Sequence, residues 1–422
     1  MLQAVAVPPL SVDAYAPFIG EAAVAELRRF AAPLAGARVL HLNATSFGGG
    51  VAELLPTMTA LMRDLGLEAE WRVIPGDDAF FDVTKAIHNG LQGMSVGLDA
   101  AQRATYAAAQ ERIAKAFEGT YDFVLVHDPQ PAGLRSLLPD AAGRWVWRCH
   151  IDLTAADPET WAFLRPEVEA YDAAIFTLPE YVQPDLRLRQ LAYIPPSIDP
   201  LSPKNRVGEP AAARSAVTRF GVDPDRPLLL QVSRFDPWKD PLGVIDVYRR
   251  VKAGVPGLQL SLVGSMATDD PEGWRIYQQV LRYAGVDPDL TILSNLDGVG
   301  AAEVNAFQQA STVVLQKSLR EGFGLTVSEA LWKGRPVVAG RVGGIPMQLG
   351  DTGGRLVDSI DGAVDACAEL LGDADLRQRL GEGGRERVRH HFLSTREVHD
   401  HLGLMRSLRE GDPSLMPRGI AA

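Results

Sequence analysis

Short apolar runs alternate along this chain with longer stretches in which apolar residues recur every three or four positions. ARVLHLNAT (37–45) has the unbroken apolar character of a strand. In GGGVAELLPTMTALMRDLG (48–66), Val51, Leu54, Leu55, Met58, Leu61, Met62 and Leu65 follow the rhythm of one buried helix face. LEAEWRVIP (67–75), YDFVLVHDP (121–129), GRWVWRCHI (143–151) and DAAIFTLPE (172–180) continue as strands. Runs without polar alternation suit parallel strands covered on both faces, and the whole pattern predicts a doubly wound α/β arrangement.

The alternation breaks at YIPPSIDPLSPKNRVGEP (193–210), where five prolines disfavour both helix and central strand, and an interdomain linker is expected there. It restarts with RPLLLQVSR (226–234), GLQLSLVGS (257–265), LTILSN (290–295), ASTVVLQKS (310–318) and GRPVVAG (334–340). Two Rossmann-like domains facing a cleft follow from this pattern, residues 1–205 and 206–392; which substrate each side takes is not in the pattern. Residues 393–422 form a helical tail expected to pack back across the cleft. The stretch RERVRHHFLSTREVHDHLGLMRSLRE (385–410) reads as one or two helices rich in Arg and His, most simply a solvated cap.

Composition narrows the function classes. The chain has 422 residues, too many for one ordinary domain, and 46% of them are hydrophobic. A formal charge of −11 argues against nucleic acid or an anionic membrane as the main partner. The two cysteines, Cys149 and Cys367, support neither a disulfide framework nor a thiolate metal site. The start lacks a basic n-region and its apolar run is broken by Pro8 and Pro9, so the cytoplasm is the expected compartment. No run is long and apolar enough for a transmembrane helix.

In such sheets ligands bind beyond the carboxyl ends of the strands, so the strand-to-helix turns are the candidate sites. NATSFGGGVAE (43–53) puts Gly48, Gly49 and Gly50 at a helix entry, where backbone N–H groups can approach an anion. It matches neither the dinucleotide fingerprint nor a Walker loop, and by itself it is equally a tight turn. QVSRFDPWKD (231–240) offers Arg234 and Lys239 after a strand, a pair suited to a diphosphate. EGFGLTVSE (321–329) sets Glu321 in a loop and Glu329 about one turn into a helix that starts near Leu325. Each carboxylate could accept from a diol, one of a sugar and one of a ribose, while Gly322 and Gly324 open the helix end to phosphate. His150, at a strand end, is a hydrogen-bonding candidate, with His88, His127 and Asp128 weaker ones. The pairs Asp223–Asp225 and Asp287–Asp289 each follow Gly-Val and flank a proline, the signature of a helix-ending turn rather than a metal site.

With SRFDPWKD, LVGS and EGFGLTVSEALWKGRPVVAGRVGGIP, the second half resembles the retaining nucleotide-sugar glycosyltransferases of family 4, which have the GT-B fold. LNATSFGGGVAELL, DAFFDVTKAIHNGLQG, VLVHDPQPAGL, WRCHIDLT, LPEYVQP, IPPSIDPLSPKN and MATDDPEGW make it most similar to the trehalose glycosyltransferring synthases. The resemblance runs from about residue 15 to 405, and it alone implies an acceptor side in residues 1–205 and a nucleotide-sugar side in 206–392. It implies that Arg234 and Lys239 bind the donor diphosphate, Glu321 the donor glucose, Glu329 the ribose, and Gly48–Gly50 the diphosphate and sugars. It also sets His150 beside the donor sugar, assigns Gly322, Phe323, Gly324 and Leu325 to the donor, and suggests acceptor contacts at His88, Asp128, Gln130 and Asp152. Gln316-Lys317-Ser318 departs from the Pro-Ser of many members and leaves the donor assignment intact.

The expected activity is reversible formation of trehalose from a nucleoside-diphosphate glucose and glucose with retention. The base is left open, and front-face transfer would let a donor phosphate oxygen take the acceptor proton. No cofactor is required; Mg2+ has no identified ligand set, and a homodimer stays open. The alternatives are a trehalose phosphorylase using glucose 1-phosphate and a family 4 transferase with another small acceptor. A nicotinamide dehydrogenase conflicts with the missing G-x-G-x-x-G, and a non-catalytic carbohydrate binder with the intact charged set.

Overall fold

The computed structural model describes residues 1–47, 49–266 and 271–420; Gly48 and the centre of MATDDPEGW lie outside the described residues. The chain forms two compact units, Met1–Pro196 together with the segment from Ser394 onward, and Ser197–Leu393.

The first unit is built on seven strands: β1 (Gln3–Ala4), β2 (Arg38–Asn43), β3 (Glu68–Val73), β4 (Tyr121–His127), β5 (Ala142–Arg148), β6 (Ala173–Phe176) and β7 (Leu191–Tyr193). Their order is β1-β3-β2-β4-β5-β6-β7, parallel throughout except for β1 against β3. The central strands are apolar because both faces are covered: Val124, Val126, Trp145 and Trp147 are buried on one face, Leu125 and Val146 on the other. The helix Gly50–Asp64 turns Leu55, Met58, Leu61 and Met62 inward, the face its spacing predicts.

The second unit carries β8 (Leu228–Val232), β9 (Gln259–Val263), β10 (Leu290–Leu293), β11 (Val313–Gln316), β12 (Val337–Gly340) and β13 (Gly354–Val357). The order is β10-β9-β8-β11-β12-β13, all parallel. Strand order reverses between β2 and β4 in the first sheet and between β8 and β11 in the second. These switch points open the crevices in which such sheets bind ligands.

The tail differs from the simplest expectation. The stretch 385–410 holds the end of one helix, Ala374–His391, which belongs to the second unit, and a second helix, Ser394–Glu410, which is not a solvated cap. Val398, His401, Leu402, Leu404, Met405 and Leu408 are buried within the first unit. Its polar residues had suggested solvent, but Glu397 and His401 face inward. The Asp287–Asp289 turn follows Gly285, whose φ is +65°, and both carboxylates pair with Lys252 at 2.9 Å. No helix among the described residues is long and apolar enough to cross a membrane.

Candidate active site

In the second unit the switch point is lined by the turns after β8 and β11. After β8, Asp236 accepts from the Trp238 N–H at 2.8 Å and caps the short turn Pro237–Lys239. Asp240 has a left-handed backbone, φ 48°, and caps the helix Pro241–Lys252 through the Gly243 N–H at 3.1 Å. Gln231 holds the Lys239 carbonyl at 2.8 Å. These bonds fix Lys239, whose Nζ donates to Glu321 Oε2 at 2.6 Å. Ser318 Oγ donates to the same oxygen at 3.3 Å. Lys317 pairs with Asp240 alongside. Arg234 is the open cation of the set, its side chain 58% exposed with Asp236 at 3.3 Å.

Between Glu321 and the helix Leu325–Trp332, Gly324 has φ +84°, and a Cβ there would meet Glu321 Cγ at 3.1 Å. That backbone suits glycine, and the crowding fixes the Glu321 stem. Phe323 is buried, its ring tilted against Phe392, so only its backbone is available to a ligand. Gly322 and Leu325 are half-buried beside it.

Glu329 lies elsewhere on that helix and is only 1% exposed. Lys204 Nζ contacts its Oε1 at 3.1 Å and Gln308 Nε2 donates to its Oε2 at 3.0 Å. Burial alone would raise this carboxyl, but Lys204, Lys333 and Gln308 hold it below the ordinary value. Burial pushes Lys333 down to about 7, against the pull of Glu329. Trp332 and Lys333 bind Asn205, and Asn305 binds the carbonyls of Pro203 and Arg206. The proline-rich segment is thus bolted to the helix that carries Glu329. Lys204, Gln308 and Lys333 are missed by sequence reading, because a lysine in a proline-rich linker looks solvated.

In the first unit, Gly49 (φ +83°) and Gly50 open the helix Gly50–Asp64 and both are exposed. The ends of β2, β4 and β5 bring three histidines into line. His150 Nε2 lies 3.0 Å from His127 Nδ1, and His127 Nε2 lies 3.1 Å from His41 Nδ1. Asp128, at φ 62°, accepts from the His150 N–H at 2.8 Å, and burial raises its carboxyl to about 6. Asp152 accepts from the Thr154 N–H and hydroxyl at 2.9 and 2.6 Å, and Gln130 offers its carbonyl to Gln110 at 2.6 Å. His88 is half-buried on the helix Asp78–Leu91.

A small enclosed space of about 10 Å³, room for one water, adjoins the cluster. Arg148, Glu397 and His401 line it with His41, His127 and His150. Arg148 is fully buried, and none of its three side-chain nitrogens has a hydrogen-bond partner. Burial lowers it to about 10, with Glu397 opposing. His41 and His401 escape sequence reading because each is a lone residue far from the others along the chain. Arg148, beside His150 in WRCHID, had a visible neighbour but reads as an ordinary surface cation. Among the described residues no group of three or more His, Cys, Asp or Glu side chains is arranged to hold a metal ion.

The family description "Trehalose synthase, N-terminal domain" matches residues 41–183, and "Glycosyl transferases group 1" matches residues 216–387. The chain is 53% identical to a trehalose synthase of Rubrobacter xylanophilus, over 91% of this chain and 93% of that one. It is 47% identical to a trehalose synthase of Pyrococcus horikoshii, over 94% and 96%. A trehalose phosphorylase of Grifola frondosa is more distant, 28% identical over 83% of this chain and 54% of that one. In fold the chain is similar to a sucrose-phosphate synthase from Thermosynechococcus elongatus, TM-score 0.67 at 18% identity, covering 89% of this chain and 100% of that one. Identity and coverage across nearly the whole length, carried on two parallel α/β sheets of GT-B type, lead to one conclusion: the chain is a glycosyltransferase enzyme and belongs to the trehalose synthase family.

Proposed function

We propose that the protein forms trehalose from a nucleoside-diphosphate glucose, ADP- or UDP-glucose, and glucose, reversibly and with retention at the donor carbon. The observation that carries this reading is the Lys239–Glu321 contact at 2.6 Å beside the open Arg234 at the β8/β11 switch point. Breaking a glycosyl–phosphate bond develops negative charge on the leaving oxygen. Arg234 and Lys239 would take up that charge, and the N-terminus of the helix Leu325–Trp332 adds its positive end. A diphosphate drawing Lys239 toward itself would loosen the Glu321 carboxylate, freeing its lone pairs for sugar hydroxyls.

Glu329 keeps two of its lone-pair sites beyond those used by Lys204 and Gln308, enough for a ribose diol. At 1% exposure it needs the side chains above it to shift as the nucleotide enters. Gly49 and Gly50 would offer backbone N–H groups to the phosphates. His150 would stand beside the donor sugar, with Asp128, Gln130, Asp152 and His88 on the acceptor side. Transfer would proceed on one face of the donor sugar, a phosphate oxygen receiving the acceptor proton, and binding energy would serve to align the two sugars.

Incubation with ADP-, UDP- and GDP-glucose plus glucose, read by NMR, tests the reading. The expected product is a disaccharide with two α-anomeric carbons; its absence with every donor rejects the proposal. A trehalose phosphorylase is the second reading, since the same phosphate pocket could hold glucose 1-phosphate. Glu329→Ala separates the two: the donor KM rises strongly if a ribose binds there and stays level if none does.

A further inference from the structure

The three histidines in line end on a sulfur. His41 Nε2 lies 3.5 Å from Met62 Sδ, His41 Nδ1 lies 3.1 Å from His127 Nε2, and His127 Nδ1 lies 3.0 Å from His150 Nε2. The rings of His127 and His150 are nearly parallel, 17° apart, as an in-line hydrogen bond prefers. A thioether can only accept, and a neutral imidazole carries one N–H. His41 must then be protonated on Nε2, which leaves its Nδ1 a lone pair. His127 must donate to that lone pair from Nε2, so its own Nδ1 accepts from His150 Nε2–H. The opposite order would set an imidazole lone pair against the sulfur and lose that bond.

The deduction holds when all three rings are neutral. His41 and His127 are 0% and 3% exposed, and the unpaired guanidinium of Arg148 lines the same enclosed space. A buried cation and loss of water both disfavour a second proton on a neighbouring imidazole. In agreement, burial lowers His41 to about 3 and takes His127 and His150 well below the ordinary value, with Arg148 adding to the effect on both.

We propose that Met62 sets the tautomers of His41, His127 and His150 in series, so that His150 meets a ligand with Nδ1 as a hydrogen-bond acceptor. Met62, His41 and His127 are positioning residues. His150, resting here on the reading that puts it beside the donor sugar, accepts from a sugar hydroxyl rather than donating to a sugar oxygen. No described residue bonds its Nδ1.

His401 supplies an internal control. Its Nδ1 lies 2.9 Å from the Glu397 carbonyl, which only accepts, so His401 carries its proton on Nδ1 whatever Met62 does. The test is 15N-histidine labelling of the full-length protein, with two-bond 1H–15N correlations at neutral pH. The expected pattern is Nε2–H at His41, His127 and His150 and Nδ1–H at His401. In Met62→Leu the tautomer ratio of the first three shifts by about five-fold, the worth of one neutral hydrogen bond, while His401 is unmoved. A protonated Nδ1 at His150, an imidazolium, or an unchanged ratio in Met62→Leu overturns the proposal. The unsubstituted protein is decisive even if the variant folds poorly. His150→Ala kinetics separate the two readings: an unchanged kcat/KM removes His150 from the reaction but leaves the tautomer chain standing.

Discussion

Glu329 and Lys204 form a pair in which the carboxylate has no water to fall back on. Removing Lys204 leaves a charge that Lys333 and Gln308 compensate only in part. Lys204→Met is expected to cost about 3 kcal/mol, the low end for breaking a buried pair, and to lower Tm by roughly 6–12 °C. Glu329→Gln added to Lys204→Met should recover most of that loss in thermal scans, because the uncompensated charge is gone. If the double variant melts no higher than the single one, the pairing explanation fails. Lys239 is expected to act on rate instead. In initial-rate kinetics Lys239→Ala should lower kcat by about 10²- to 10³-fold, as when one preorganised donor to a developing oxyanion is removed. A loss under ten-fold would mean that Arg234 carries the phosphate alone.

The turn Glu321–Gly324 and the helix after it act together as an element. Gly324→Ala puts a side chain into a left-handed backbone at φ +84°, costing about 1–2 kcal/mol, and presses on Glu321. Its expected signature is a modest drop in Tm with a far larger drop in kcat, and equal mild effects would contradict it. The histidine row at the ends of β2, β4 and β5 predicts acid sensitivity. Unfolded, these rings titrate near 6.5; folded, His41 and the neighbouring His401 are held to about 3 and 4, and burial holds His127 and His150 well below the ordinary value too. As pH falls below 6.5 the unfolded chain takes up protons that the folded unit refuses, so stability is lost, by about 1.4 kcal/mol per pH unit for each ring. Asp128, raised to about 6, works the other way but is one group against four. Tm measured from pH 7 to pH 5 should fall, and His41→Gln should flatten the slope.

Strands β2 to β6 and β8 to β12 were legible because each sits in a mostly apolar run bounded by turns. β1, β7 and β13 were not, since two to four residues with partly exposed side chains leave no pattern to read. Proximity of Lys239 to Glu321 was readable from neighbouring turns of a doubly wound sheet. The partner of Glu329 was not, because Lys204 is 125 residues upstream in a segment that looks like solvated linker.

Across the whole molecule, the chain leaves the first unit after Pro196, builds the second, and returns at Ser394. Arg396 reaches back to the carbonyls of Pro195 and Pro196 at 2.7 and 3.2 Å, fastening exit and return together. A chain ending at Leu393 would lose Val398, Leu402, Leu404 and Met405 from the first unit and uncover Arg148. It is expected to aggregate on expression, whereas ending at Gly411 should keep solubility and Tm close to those of the full chain. Light scattering and thermal scans distinguish the two.

The same return governs the order in which a ribosome could deliver the fold. Residues 197–393 emerge as one uninterrupted block and can close their sheet as soon as they are clear. The first unit, although its sheet is made earlier, waits for the final helix before Arg148 and the histidines are sealed from water. Birth order and completion order are therefore reversed: the half synthesised first is finished after the second, and it must stay unaggregated with one face open until the helix Ser394–Glu410 has been made.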